Sequence, residues 1–245
     1  MKNTAIIIPS RLNAQRLPNK PLALINNKEM ILHVYEAAMN SGVGEVIVAT
    51  PDRRISDLVN DFGGKAFVTK RDHQTGTDRV FEVFESRLNK KPDIIINLQG
   101  DMPNLHPTAI VNLVEYMKKN LCDIGSLASD LNLTKEENDP NVCKVVVNKD
   151  IKKENIFARA IDFYRLENNF KKNFIYHHIG IYAFTSKALI RYVGLDRSNL
   201  EKKRKLEQLR ALENNMKIDI GFTDTSPLSV DTVDDLKTIK EIMKK

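Results

Sequence analysis

Arg11, Arg16 and Lys20 are the residues of this sequence best suited to act together in chemistry. They lie in IIIPSRLNAQRLPNKPL, from Ile6 to Leu22, which begins as an apolar strand and turns into a loop with Pro9, Pro18 and Pro21 but no glycine. Loops that cradle phosphate usually do so with backbone N–H groups freed by glycine, and neither G-x-x-x-x-G-K-[ST] nor G-x-G-x-x-G occurs in the chain. Cationic side chains can take over that task, since arginine offers a planar fork to phosphate oxygens and lysine a compact point charge. The prolines would stiffen the loop and reduce the entropy lost when an anion orders it. A surface loop carrying ordinary cations is the alternative.

Two carboxylates are the complementary candidates. Asp101 follows Gly100 in NLQGDMP, at the polar tip of an apolar strand, where it is a natural ligand for a hard cation such as Mg²⁺. Asp231, in SVDTVDDL, stands directly before a helical pattern and could converge on the same ion. It has a competing structural explanation, because Asp231 or Thr232 would also serve as the N-cap of that helix.

The elements that would position these groups follow from hydrophobic patterning. Short apolar runs alternate with amphipathic stretches through the first half: strands TAIIIP, EVIVAT, KAFVT and DIIINLQGD, with helices MILHVYEAAMNSG, ISDLVNDFGG and GTDRVFEVFESRLNK between them. The last of these helices should be capped by Thr77 or Asp78. The pattern predicts an α/β fold, Rossmann-like, with a mostly parallel mixed sheet and helices on both faces. After a helix at TAIVNLVEYMKKN and a strand at IGSLAS, the segments CKVVVN, IFARAI and YHHIGIYAF predict antiparallel or mixed pairings. Helices then follow at Ser186 to Val193 and KLEQLRALENN, a strand at KIDIGF and a closing helix at DTVDDLKTIKEIMKK. The expectation is one domain over 1–245 with a strand-rich excursion at about 130–185 that would serve dimerisation. Ligands of open α/β sheets bind beyond the carboxyl ends of the strands, which groups the loop after Ile8, the loop after Val68 and the tip LQGDMP.

Composition narrows the class further. With 42% hydrophobic and 29% charged residues and no apolar run long enough for a bilayer, the chain is expected to be soluble, with no membrane partner. No export signal is read at MKNTAIIIPSR, and Cys122 and Cys143 lack metal-ligand spacing, so buried thiols in a reducing cytoplasm are expected. The net charge of +6 falls largely in lysine runs such as EKKRK. With no zinc finger, RNP-like aromatic pattern or tryptophan, nucleic acid is not an expected partner.

Pro9, Arg11, Arg16, Leu17, Pro18, Lys20 and Leu22 form P-x-R-x-x-x-x-R-L-P-x-K-x-L, which resembles the opening signature of sugar nucleotidyltransferases, in particular the cytidylyltransferases that activate acidic sugars. DHQTGTDRVFEV, QGDMP, HIGIYAF, LEQLRALENNMKI and VDTVDDL resemble further segments of that family in the expected order, closer to the branch acting on 3-deoxy-manno-octulosonate (Kdo) than to the sialic-acid branch. The resemblance implies a nucleotidyltransferase fold and transfer of CMP from CTP to Kdo for lipopolysaccharide, in a cytoplasmic homodimer. It implies that Arg11 and Lys20 grip the triphosphate, that Pro9, Ser10, His73, Gln74 and Gly76 surround the cytosine, and that Asp101 and Asp231 hold Mg²⁺. Arg79, Gln99, His178, Tyr182, Glu207 and Gln208 would enclose the sugar acid, with Arg79 facing its carboxylate.

Each of these has a plainer reading. Gln99 could end a strand, His178 and Tyr182 could be satisfied core groups four apart on one strand face, and Glu207 with Arg210 could be a surface helical pair. Departures from the family pattern are Met102 where an acid is usual, Asn19 and Ser229 for glycine, and FARAIDF around Arg159. Asn19 is tolerable if left-handed. Another acidic sugar, or a catalytically silent CTP-binding homologue, are the alternative functions.

Overall fold

The computed structural model describes residues 3–244 except 14–15, 71, 87, 89–90, 153–155 and 167–173. The chain divides into two compact units, one of residues 1–111 with 227–245 and one of residues 112–226.

The first unit is laid down as β1 (Thr4–Pro9), a single 3-10 turn at Lys20–Leu22, β2 (Leu24–Ile25), β3 (Lys28–Glu29), α1 (Met30–Asn40), β4 (Glu45–Thr50), α2 (Arg53–Asp61), β5 (Ala66–Val68), α3 (Gly76–Ser86) and β6 (Ile94–Leu98). Its main sheet runs β5-β4-β1-β6, and every pairing in it is parallel. β1 and β6 are apolar runs, buried along nearly their whole length, as a strand covered on both faces must be. β2 and β3 form a small hairpin that sequence patterning missed. Its two-residue turn, Asn26–Asn27, has both residues at positive φ (48° and 69°), the geometry matched to strand twist and tolerated best by asparagine after glycine. The tail of the helix expected after Gly76, residues 87 and 89–90, lies outside the described residues.

α4 (Pro107–Lys119) leads into the second unit: β7 (Ile124–Ser129), the single turn α5 (Leu133–Glu136), β8 (Lys144–Val147), β9 (Phe157–Tyr164), β10 (Phe174–Thr185), α6 (Ser186–Val193), α7 (Asn199–Arg204), α8 (Gln208–Glu213) and β11 (Ile218–Phe222). Here the strands run β10-β7-β11-β9-β8, with β7–β11 parallel and the other pairs antiparallel. The first residues of β10 also pair with β8, so the pairings close on themselves. The helix expected over KLEQLRALENN is corrected: Lys205 is left-handed (φ 55°) and ends α7, so α8 starts only at Gln208. Cys122 and Cys143 are free thiols, and burial pushes each up to about 12. Among the described residues no helix is long and apolar enough to cross a membrane.

α9 (Val233–Ile242) returns to the first unit. Ile239, with Val230 just before the helix, is buried against Leu17, Ile25 and Met30, and Leu228 and Leu236 pack on the same cluster. This apolar anchor brings the far end of the chain to the loop after β1. It is why two charges as remote in sequence as Lys20 and Asp231 share one site.

Candidate active site

The carboxyl ends of β1 and β6 open into a cavity of about 630 Å³ lined by the loop after β1, the start of α3, the tip after β6 and Asp231. Of the residues expected at a site, Pro9, Ser10, Arg11, Lys20, His73, Gln74, Gly76, Arg79, Gln99, Asp101 and Asp231 all line it. All of these belong to the first unit.

The loop after β1 uses several of its amides internally. Ser10 N–H donates to Ala49 O, Leu12 N–H to Asp52 Oδ2, Asn19 N–H to Leu12 O and Lys20 N–H to Leu17 O. Asn19 is left-handed, φ 56°, which explains how asparagine stands there in place of glycine. With those amides committed, the charge offered to the cavity comes from side chains.

Lys20 is mostly buried (15% exposed), and its Nζ lies 2.8 Å from Asp101 Oδ2 and 2.9 Å from Asp231 Oδ1. Burial lowers the affinity of that amine for its proton, but the two carboxylates outweigh the loss, and the pKa of Lys20 is raised. Arg16 Nη2 reaches the other oxygen, Asp231 Oδ2, at 2.9 Å. The backbone fixes this arrangement, since Val230 N–H donates to Asp101 O and clamps the segment carrying Asp231 beside Asp101. The capping explanation for Asp231 fails. Thr232 caps α9 in a reciprocal box with Asp235, which leaves the Asp231 carboxylate turned to the cations.

Two carboxylates that already converge on a positive charge have the hard oxygen donors a divalent cation requires. Asp101 and Asp231 therefore fit Mg²⁺, although no cluster of three or more such ligands occurs among the described residues. Water and substrate phosphate commonly fill the remaining positions around this ion.

α3 shapes the opposite wall. Its cap is Thr75 and not Thr77 or Asp78: Thr75 N–H donates to Asp78 Oδ2 while Asp78 N–H donates to Thr75 Oγ1, two to three residues earlier than the pattern suggested. Arg79 is 3% exposed and donates to Lys70 O (2.9 Å) and to Thr69 Oγ1. Burial, and then the nearby Arg11, hold its guanidinium below the ordinary range. Two guanidinium groups directed at one cavity favour an anion in it. Gln99 is steered by a polar chain, its Nε2 donating to Asn97 Oδ1 and Asn97 Nδ2 to Thr77 Oγ1, in a strand otherwise apolar. Met102 is 3% exposed, so the position that departs from the family pattern serves core packing.

His178, Tyr182, Glu207 and Gln208 belong to the second unit. His178 and Tyr182 are both buried, with ring centroids 5.5 Å apart, although a register shift between Ile179 and Tyr182 breaks the regular alternation assumed for them. Burial, then His177 and Arg165, push His178 down to about 3, and burial with Glu207 raises Tyr182, so both are neutral near pH 7. His178 Nε2 is 2.9 Å from Ser126 Oγ, and Gln208 Nε2 donates to Cys143 Sγ at 3.5 Å. Arg210 is no surface partner: it is 3% exposed and grips Glu201 with two hydrogen bonds.

An α/β unit with a basic loop facing a carboxylate pair at its strand tips suits an enzyme that works on a nucleotide, and comparison with known proteins agrees. Residues 5–218 match the cytidylyltransferase family. The 3-deoxy-manno-octulosonate cytidylyltransferase of Bartonella bacilliformis is 40% identical over 97% of this chain and 97% of its own. That of Nitrobacter hamburgensis is 41% identical over 98% and 92%. The structure of a CMP:2-keto-3-deoxy-manno-octonic acid synthetase complexed with CTP superposes with a TM-score of 0.87 at 36% identity, covering 98% of each chain. The chain belongs to the cytidylyltransferase family.

Sequence reasoning missed Glu82. Its carboxylate accepts from Lys70 N–H (3.1 Å) and pairs with His73 Nε2, and burial is outweighed by His73 and the Lys70 amide, which hold it below the usual carboxylate range. Arg79 and Glu82 thus grip Thr69, Lys70 and His73 from one face of α3. Glu82→Ala should loosen the wall that carries His73 and raise the KM for the nucleotide by about tenfold, leaving kcat within about threefold. Steady-state kinetics showing the reverse split would refute this positioning role.

Proposed function

We propose that the protein transfers CMP from CTP to the anomeric hydroxyl of Kdo, giving CMP-Kdo and pyrophosphate for lipopolysaccharide. The observation that carries the reading is the cavity, lined by Arg11, in which Lys20 meets Asp101 and Asp231 and Arg16 meets Asp231, in a chain about 40% identical to 3-deoxy-manno-octulosonate cytidylyltransferases. The hydroxyl oxygen gives up its proton to water as it attacks the α-phosphorus, the bond to the bridging oxygen of the β-phosphate breaks, and pyrophosphate carries that electron pair away. Charge builds on the equatorial and leaving oxygens, so positioned cations do most of the catalytic work.

Arg11 and Lys20 hold the triphosphate and stabilise the departing pyrophosphate. The Pro9–Ser10 backbone and the segment from His73 to Gly76 flank the base. Arg79 and Gln99 face the acid sugar, with Arg79 turned to its carboxylate. Asp101 and Asp231 hold Mg²⁺, which when bound neutralises phosphate charge and lowers the pKa of the attacking hydroxyl. A cytoplasmic homodimer belongs to the same reading.

The test is pyrophosphate release from CTP and Mg²⁺ with and without Kdo, beside reactions with UTP and with a sialic-type acid. Release is expected only with CTP and Kdo together. Equal or faster release with the sialic-type acid would move the substrate, and CTP binding without release for any acceptor would leave a binding protein.

A further inference from the structure

The ammonium of Lys20 sits between the two carboxylates that a divalent cation would need, 2.8 Å from Asp101 and 2.9 Å from Asp231. Arg16 covers the second oxygen of Asp231, so cations are already in contact with both carboxylates and with both oxygens of one. Two carboxylates this close repel unless a positive charge lies between them, and a part-buried site screens that repulsion weakly. An ammonium and a divalent cation drawn to the same two carboxylates repel each other, so they compete for them.

We propose that Lys20 is a positioning residue for the carboxylate pair: its ammonium is the resident counter-ion that keeps Asp101 and Asp231 converged and competes with a divalent cation for them in the nucleotide-free site. The inference rests on the reading that these carboxylates hold the metal. A polyphosphate entering beside Arg11 and Arg16 offers the ammonium a second set of anionic oxygens. Metal and nucleotide then favour each other, because each relieves the charge imbalance the other creates.

Mn²⁺ alone, titrated into the full-length protein and followed by its electron paramagnetic resonance signal, tests this without turnover. Lys20→Met should bind Mn²⁺ about tenfold or more tightly than the parent, since the competitor is gone, whereas Lys20→Arg should keep the weak binding. Asp101→Asn, alone and combined with Lys20→Met, should abolish the gain. Mn²⁺ bound through Asp101 but no more tightly in Lys20→Met would overturn the proposal and leave the metal reading standing. Mn²⁺ bound equally by Asp101→Asn would remove the metal reading itself. Circular dichroism of each variant identifies any that fails to fold, in which case Lys20→Gln, closer in polarity, takes the place of Lys20→Met.

Discussion

Asp101→Asn is expected to lower turnover by about a thousandfold or more while CTP affinity changes by less than about tenfold. The asparagine keeps the volume of the side chain and one oxygen, so the tip after β6 should hold its shape. The backbone carbonyl of residue 101, which accepts Val230 N–H, is also unaffected, so Asp231 stays in place. What disappears is one of the two negative charges that meet at Lys20, and with it half of the donor set for a hard cation. On the proposed roles, ground-state binding of the triphosphate would draw mainly on Arg11 and Lys20, whereas the negative charge that develops during transfer would be met by the divalent cation the carboxylate pair would hold. The loss should therefore fall on kcat, and a nearly unchanged KM would place the interaction in the transition state. Turnover within tenfold of the parent would sink both the catalytic role of Asp101 and its role in metal binding. Comparing pyrophosphate release with equilibrium CTP binding in one preparation decides the matter.

Much of this site was legible in the sequence because its walls are the ends of apolar strands. Continuous runs such as TAIIIP and DIIINL admit one reading, a strand buried on both faces, and the residues that follow must then stand at the sheet's edge. Arg11, Lys20 and Asp101 fall out of that argument alone. Asp231 does not, since only the tertiary packing of Val230 and Ile239 against Leu17 brings it there, and its local context argued equally for a cap. Glu82 was invisible for a different reason: spacing places a carboxylate on a helix face, but not the backbone amide of Lys70 in front of it. Asn97 left a trace, a polar residue inside a buried strand, which could have been followed to Gln99. The cap of α3 was misplaced by ignoring that the reciprocal pattern T-x-x-D begins at Thr75. The Asn26–Asn27 hairpin was missed because each of its strands has only two residues, too few to show alternation.

Arg210→Met should destabilise the second unit by about 3–5 kcal/mol, the cost of leaving a buried charge without its partner. Glu201 and Arg210 have side chains only 1% and 4% exposed and are joined by two hydrogen bonds of 2.7 and 2.9 Å. The guanidinium also lies over the Tyr192 ring, 4.7 Å from its centroid, and Arg197 contributes a further bond to Glu201 from a half-exposed position. Burial alone would raise the pKa of Glu201, but Arg210 and Arg197 outweigh it, and the carboxyl is held below its usual range. The sign of the pH dependence follows. A group whose pKa is lower in the folded state contributes its full stability above the unfolded value, about 4.3, and loses it as pH falls through the folded one. In Arg210→Met the carboxylate is stranded at pH 7, and protonating it removes the penalty, so the deficit against the parent should shrink between about pH 5 and pH 3. Glu201→Gln added to Arg210→Met should restore part of the loss at pH 7, because the amide carries no charge and keeps one oxygen for the Arg197 donor. Urea unfolding of the single and double variants at both pH values measures each of these differences. A single variant within about 1 kcal/mol of the parent at pH 7 would mean that water or Arg197 already neutralises Glu201 and that the pair does not hold α7 to α8.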